Sequence, residues 1–172
     1  CWRREVFDKI GKFNEKLARG QDLEFNLRLA KAGGRILLAP SMRSRYYARA
    51  TFLSFCRHNW TNGVWAVLPF AYSDVIPVRW RHLAPMVFAG AVLVSVAAAF
   101  THARGGLLAA VILAPYLVLN LLASLSAAWE RCDLKLALLL PVTFASLHLA
   151  YGTGSLWGLV KLAGIGARQF KR

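Results

Sequence analysis

The stretch LAPMVFAGAVLVSVAAAFT, residues 83–101, shows which class of protein this sequence encodes. Its nineteen residues include no charged side chain, and a helix of about 20 apolar residues crosses the ~30 Å hydrocarbon core of a bilayer. The basic run RWRH, residues 79–82, comes directly before it. The pattern predicts a transmembrane helix over residues 83–101 that starts on the cytoplasmic side, where Lys and Arg accumulate.

Two more apolar blocks follow this first span. Residues 106–128 contain no charge, and residues 134–160 are long enough to cross a membrane, although Pro141 and three glycines interrupt their apolar pattern. We therefore expect about three transmembrane helices and a basic tail at 161–172. A third crossing would place that tail outside, against the positive-inside trend. A re-entrant segment folded back near the glycines is the alternative.

The overall composition agrees with a membrane protein. Hydrophobic residues make up 57% of the 172 residues, and the mean hydropathy is +0.42. The net charge of +14 is segregated, since residues 1–82 hold fifteen of the twenty-two Lys and Arg. These basic residues flank apolar spans and lack the aromatic interleaving of a single-strand binder, so nucleic acid is not an expected partner. Membrane lipids with anionic headgroups and diphosphates account for the charge better.

Residues 51–82 connect the basic part to the first span. Between Thr51 and Phe70, aromatic and aliphatic residues alternate with Arg57, His58 and Asn59, and no acidic residue occurs. This pattern is typical of an amphipathic helix that lies in the headgroup layer. Trp60 would then serve as an anchor at the membrane interface.

The region GQDLEFNLRLAKAGGRILLAP, residues 20–40, predicts a helix followed by a strand. Apolar residues recur at helical spacing up to Gly33-Gly34, where the helix should end. Residues 35–39 then have the composition of a short buried strand that ends at Pro40. Asp22 and Glu24 fall in the first helical turn, where carboxylates are favoured by the helix dipole and by capping. Capping is therefore one interpretation of both acids.

The wider sequence suggests a second interpretation. The runs CWRREVFDKIGKFNE, QDLEFNLRLAKAGGRI, RSRYYARATFLSF and NWTNGVW resemble the C-terminal half of family 2 glycosyltransferases of GT-A fold. The resemblance is greatest to the membrane-attached enzymes that build bacterial exopolysaccharides such as succinoglycan. It covers residues 1–85 by motif and the remainder by membrane character alone. It implies an α/β fold for residues 1–50, as the end of a catalytic GT-A domain.

The resemblance also implies roles for individual residues. Asp22 matches the family's catalytic base, which deprotonates the acceptor hydroxyl, and Gln21 stands on the acceptor side where Glu is more usual. Trp60 is a candidate for stacking on the acceptor sugar, although the surrounding residues depart from the family's Gln-x-x-Arg-Trp motif. Arg57 and Arg49 are candidates for binding a diphosphate, because a guanidinium presents a bidentate fork; solvated or lipid-facing charge is the equal alternative.

The function implied is an inverting sugar transfer at the cytoplasmic membrane, with the catalytic side facing the cytoplasm. The donor would be a nucleotide sugar and the acceptor a lipid-linked glycan or a polysaccharide. Such enzymes hold a divalent metal, Mg or Mn, with a DxD motif that these 172 residues lack. We therefore expect a fragment that contains no metal ligands and is inactive by itself. The alternative is a non-catalytic membrane anchor or assembly subunit.

Overall fold

The computed structural model describes residues 2–102 and 104–169, which form helices and contain no β-strand. The predicted α/β fold, with a GT-A fragment over residues 1–50, is therefore wrong for the described part of the chain. The helices are α1 (Arg4–Ile10), α2 (Gln21–Lys31), α3 (Phe52–Val67), α4 (Pro69–Tyr72), α5 (Ala84–Thr101), α6 (Gly105–Arg131) and α7 (Leu134–Gln169), with a 3₁₀ turn at Trp80–His82.

Residues 35–39, predicted as a buried strand, form an irregular exposed segment. The side chains of Leu37 and Leu38 are 90% and 89% exposed. A strand is held by hydrogen bonds to a neighbouring strand, and the described residues supply none. Local composition favoured a strand here, but none of the residues that the structure describes pairs with this segment.

The helix before this segment ends where the glycine pair predicted. The N–H of Gly33 donates to the Ala30 carbonyl over 3.1 Å, and that of Gly34 donates to the Leu29 carbonyl over 2.9 Å. Gly33 has a φ of +77°, the left-handed conformation that glycine adopts without steric cost. These bonds close the last turn of α2.

An aromatic cluster holds α1 and α2 together. Phe25 on α2 is fully buried, and its ring centroid lies 5.5, 5.1 and 4.6 Å from those of Trp2, Phe7 and Phe13. Leu17, in the loop before α2, is also fully buried. Aromatic pairs at these distances add to the stabilisation from burial alone. The cluster therefore fixes the loop that leads into α2.

Three helices, α5, α6 and α7, are long and apolar enough to cross a membrane by length and composition. The prediction of a membrane protein is confirmed at this level. Short turns join α5 to α6 and α6 to α7, so neighbouring helices run antiparallel. Helix α7 continues through the glycines at 152, 154 and 158 without a break.

Polar side chains link α6 to α7 inside this apolar region. The Tyr116 hydroxyl lies 3.0 Å from Nδ1 of His148, and Asn120 Nδ2 donates to the Pro141 carbonyl over 3.0 Å. Ser124 donates to the Asn120 carbonyl one turn away. Polar side chains in apolar spans commonly form hydrogen bonds to a neighbouring helix, as His148 does here.

Glycine and serine residues allow α3 to pack closely against the C-terminal half of α7. A Cβ atom on Gly63 would overlap the Tyr151 carbonyl, and one on Gly154 would overlap the Trp60 carbonyl. Ser155 is fully buried and donates to the Gly63 carbonyl over 3.1 Å. The amphipathic helix predicted between residues 51 and 70 corresponds to α3, and one of its faces packs against α7.

Candidate functional site

The start of α2 positions the predicted base, Asp22. Gly20 precedes the helix with a φ of +75°, and the Gln21 side chain donates to the Leu17 carbonyl. The Gln21 side chain therefore stabilises the loop between Leu17 and the start of α2. Asp22 is exposed and forms no hydrogen bond or ion pair with the described residues.

The neighbouring acid, Glu24, has a structural environment. It is 3% exposed and pairs with Arg28, whose Nε lies 2.8 Å from Glu24 Oε1. The same Arg28 donates to the carbonyls of Ile10 and Lys12. Glu24 therefore helps tie the end of α1 to α2, as expected for a structural acid.

A small basic cleft lies between the loop before α2, the segment before α3 and the first turns of α3. Its volume is about 220 Å³. The lining residues are polar or basic, namely Arg19, Arg49, Ser54, Arg57, His58 and Thr61. We call this the basic cleft. It brings together the two arginines, Arg49 and Arg57, that the sequence suggested for a diphosphate.

His58 lies at the centre of this cleft. Arg19 Nη1 and Arg49 Nη2 lie 3.3 and 3.2 Å from the same atom, His58 Nδ1. Guanidinium groups only donate, so a hydrogen bond from either arginine requires the tautomer of His58 with its proton on Nε2 and a free lone pair on Nδ1. Burial lowers the pKa of His58, and the charges of Arg19 and Arg49 lower it further.

The other side of α3 borders an apolar groove of about 580 Å³. Its walls come from α3 and α7 and consist of Thr51, Leu53, Ser54, Cys56, Arg57, Trp60 and Ala150. We call this the α3–α7 groove. Trp60, which is 38% exposed, presents its indole to this groove, while its backbone packs on Gly154. Ser54 and Arg57 line both cavities, so the basic cleft and the groove adjoin.

Asp22 does not line either cavity, but Arg19 connects it to the basic cleft. Arg19 lies three residues before Asp22, so their Cα atoms are at most about 11 Å apart. Arg19 also donates to Asn62 Oδ1, which anchors this loop to α3. The predicted residues Arg49, Arg57 and Trp60 therefore line adjoining cavities, whereas Asp22 is related to them only through the loop that carries Arg19.

Four residues of the basic cleft were not among the predicted site residues, namely Arg19, Ser54, His58 and Thr61. Arg19 is 30 residues from Arg49 along the chain, and nothing in the local sequence indicates that the two meet. His58 sits between Arg57 and Asn59 in a pattern that predicts an amphipathic helix. Its central position depends on the tertiary packing.

No group of three or more His, Cys, Asp or Glu residues could hold a metal ion in the part of the chain that the structure describes. Comparison with known proteins gives no identity. No family model, curated protein or solved structure matches this chain.

Proposed function

We propose that this chain forms the acceptor side of a glycosyltransferase at the cytoplasmic face of the membrane. The donor would be a nucleotide sugar, and the acceptor a lipid-linked glycan or a polysaccharide of the cell envelope. One observation supports the proposal most. Three arginines converge on a cleft beside the loop that presents the unpaired carboxylate of Asp22, next to helices that could cross a membrane.

Each residue in this region has a role that fits sugar transfer. Asp22 would take the proton from the acceptor hydroxyl while its oxygen attacks the anomeric carbon, and the nucleoside diphosphate leaves with the bonding electrons. Arg49 and Arg57 would neutralise diphosphate charge through charge-assisted hydrogen bonds. Trp60 would stack its indole against the acceptor within the α3–α7 groove.

The donor and its metal require residues besides those described. A divalent metal, Mg or Mn, would neutralise charge on the donor diphosphate, and residues 2–102 and 104–169 contain no group of three or more His, Cys, Asp or Glu that could hold one. The chain's own contribution is to hold the acceptor and to remove its proton. The 172 residues alone are accordingly proposed to be inactive.

A transfer assay on membranes that contain the protein in its natural form tests this function. Asp22→Asn should lower transfer from a labelled nucleotide sugar by roughly 100- to 10,000-fold, because only proton abstraction is removed. Binding of the nucleotide sugar should stay within about twofold. Asp74→Asn, at another exposed acid, is the control and should leave transfer unchanged. Retention of more than about a tenth of the activity in Asp22→Asn would return Asp22 to a structural role.

The alternative function is a non-catalytic membrane anchor or assembly subunit. One observation favours it, namely that Asp22 lies outside the lining of the basic cleft. The arginines would then contact only lipid headgroups. The two functions separate in the same assay, since an anchor gives no transfer that depends on Asp22.

A further inference from the structure

A third cavity lies among the loop before α2, the end of α3, helix α4 and the C-terminal part of α7. Its volume is about 380 Å³. Two lysines and four apolar or aromatic side chains line it, namely Lys16, Lys161, Trp65, Leu68, Tyr72 and Ile165. We call this the lysine cavity. It shares no lining residue with the basic cleft or the α3–α7 groove, so the roles proposed above leave it unused.

Tertiary contacts build this cavity from distant parts of the chain. Asn14 Nδ2 donates to the Tyr72 carbonyl over 2.8 Å, which holds the loop before α2 against α4. A Cβ atom on Gly158 would lie 2.8 Å from the Val64 carbonyl oxygen, so α7 packs closely on the end of α3. The two lysines thereby reach the walls of one cavity, although they are far apart in sequence.

The two ammonium groups bring a positive charge that the described residues do not neutralise. Neither Lys16 nor Lys161 forms an ion pair or donates a side-chain hydrogen bond within residues 2–102 and 104–169, and no Asp or Glu lines the cavity. Two cations on one cavity attract an anion jointly, and each ammonium group offers three donors to it. The charge of the cavity therefore favours an anionic ligand.

The rest of the lining is apolar and aromatic. The ring centroids of Trp65 and Tyr72 lie 6.5 Å apart with their planes at 33°. Leu68 is buried, and Ile165 is half-buried. Such surface favours a ligand in proportion to the apolar area that the ligand covers. An anion that also carries hydrocarbon therefore fits the cavity better than a free phosphate ester does.

Lys161 indicates where the cavity lies along α7. Residues 136–160 contain no Asp, Glu, Lys or Arg, and Lys161 is the first charged residue after them. This length is sufficient to cross the hydrocarbon core of a bilayer. When α7 crosses a bilayer, Lys161 lies at the level of the headgroups, where Trp and Tyr are also enriched. The anions at that level are acidic phospholipids.

We propose that the lysine cavity binds the headgroup of one acidic phospholipid of the surrounding bilayer. The phosphate contacts Lys16 and Lys161, and the glycerol and first acyl carbons lie against Trp65, Leu68 and Ile165. This lipid is neither donor nor acceptor in the proposed transfer. It joins the loop before α2 to α7, and so holds the basic N-terminal part of the chain against a helix that could cross the membrane.

Binding of single lipids to the 172-residue chain in an uncharged detergent, counted by native mass spectrometry, tests this site. Dioleoylphosphatidylglycerol should bind at least about fivefold more tightly than dioleoylphosphatidylcholine, because the choline group cancels the phosphate charge. Glycerol 3-phosphate should not displace the lipid, because it has no acyl chain to cover the apolar lining. Phosphatidylglycerol should also raise the melting temperature of the chain, since a ligand of the folded state stabilises it.

Gly164 offers a variant that fills the cavity and keeps both lysines. It lines the lysine cavity, and a Cβ atom there would meet no atom within 4 Å. The same space surrounds Gly166, which does not line the cavity. Gly164→Leu should weaken phosphatidylglycerol by about tenfold or more, whereas Gly166→Leu should bind it as the parent chain does. Leucine is a better helix former than glycine, so neither change should unfold α7.

The contribution of charge is measured with the lysines themselves. Lys16→Gln and Lys161→Gln should each weaken phosphatidylglycerol about fivefold, the usual contribution of one basic residue at an anionic lipid surface. Lys135→Gln is the matched control, because Lys135 is exposed in the first turn of α7 and does not line the cavity. Its affinity should stay within about twofold of the parent chain.

Three outcomes would overturn the inference. Equal binding by Gly164→Leu and Gly166→Leu would mean that the lysines attract lipid only as diffuse surface charge. Equal affinity for the two phospholipids would remove the recognition of an acidic headgroup, and displacement by glycerol 3-phosphate would leave a site for free phosphate esters. None of these results bears on the Asp22→Asn transfer assay, so failure of the lipid site and failure of the proposed function can be told apart.

Discussion

Two guanidinium groups lie within hydrogen-bonding distance of His58 Nδ1 in the basic cleft, so the protonation of His58 depends on what the cleft contains. Burial lowers its pKa, as do Arg19 and Arg49. The charged groups that face it are Arg19 from the loop before α2, Arg49 from the segment before α3 and Arg57 from α3 itself. A bound anion would offset these positive charges and raise the pKa of His58 again.

A pH dependence of anion binding follows from this arrangement. Since the pKa of His58 is lower in the free protein than in the complex, binding takes up a proton, and affinity should rise as pH falls through the interval between the two values. Sulfate is a suitable probe because its charge is constant from pH 8 to 5.5. Its affinity should increase roughly 3- to 10-fold between pH 7.5 and 5.5. His58→Gln should abolish the increase, whereas His102→Gln should not; an unchanged pH profile in His58→Gln would contradict the role of His58.

Trp60 offers a second test at the residue scale. Its carbonyl packs on Gly154, but its indole borders the α3–α7 groove, so changing the side chain should spare the helix contact. Trp60→Ala should raise the acceptor KM about 5- to 150-fold, the equivalent of ~1–3 kcal/mol of stacking. The donor KM should not change. Trp129→Ala, at an 86% exposed tryptophan, is the matched control. Equal kinetics for both variants would reduce Trp60 to an interface anchor.

At the scale of elements, α3 and α7 approach closely because glycines, which have no side chain, lie at their contact. A Cβ atom on Gly154 would overlap the Trp60 carbonyl, whereas one on Gly166 would meet no atom within 4 Å. Both glycines lie in α7. Gly154→Ala should therefore force α3 and α7 apart and lower stability by about 1–3 kcal/mol. Gly166→Ala should be neutral or slightly stabilising, because alanine is the better helix former.

Thermal unfolding in detergent, followed by tryptophan fluorescence, measures this difference. Separation of α3 from α7 would also widen the α3–α7 groove in Gly154→Ala alone. Equal melting temperatures for Gly154→Ala and Gly166→Ala would show that the close approach of the two helices is not required.

The elements that could be predicted from sequence are those whose signal is local. The apolar lengths at 83–101, 106–128 and 134–160 indicated α5, α6 and α7, and the glycine pair after Lys31 indicated the end of α2. The prediction of a strand over residues 35–39 was wrong because a strand needs a second strand to pair with, which local composition does not reveal. Gly154 and Gly158 face the backbone of α3, a contact that only the structure identifies.

In the candidate site, too, some residues could be predicted from local sequence and others depend on tertiary contacts. Arg49 precedes an amphipathic pattern without acids and Arg57 lies within it, and both line the basic cleft. Arg19 reaches it through the fold of the loop before α2, where Leu17 is buried and Asn62 accepts from the Arg19 side chain. The approach of Arg19 to the basic cleft depends on tertiary structure, so it could not be predicted from the local sequence.

At the scale of the whole molecule, charge and apolar surface occupy different parts of the chain. Fifteen of the Lys and Arg residues precede residue 83, and α5, α6 and α7 expose leucine and valine along most of their length. Exposed apolar surface on this scale is unfavourable in water and favourable in a bilayer. The protein should therefore stay in the membrane pellet after extraction with carbonate at high pH or with 1 M salt, both of which remove proteins held by charge.

A single charge placed in the apolar surface of α6 tests whether this helix is inserted in the bilayer or the protein binds only at the membrane surface. Leu117 lies near the middle of α6 and is 58% exposed, so Leu117→Arg would place a guanidinium among lipid chains at a cost of roughly 2.5–3.5 kcal/mol. Leu134→Arg, at the first residue of α7, would keep its charge near the headgroups and is the matched control. Carbonate should release a larger fraction of Leu117→Arg than of Leu134→Arg or the parent chain, because insertion of α6 is impaired. If carbonate released the parent chain itself, α5, α6 and α7 would have to be helices that pack against protein instead of lipid.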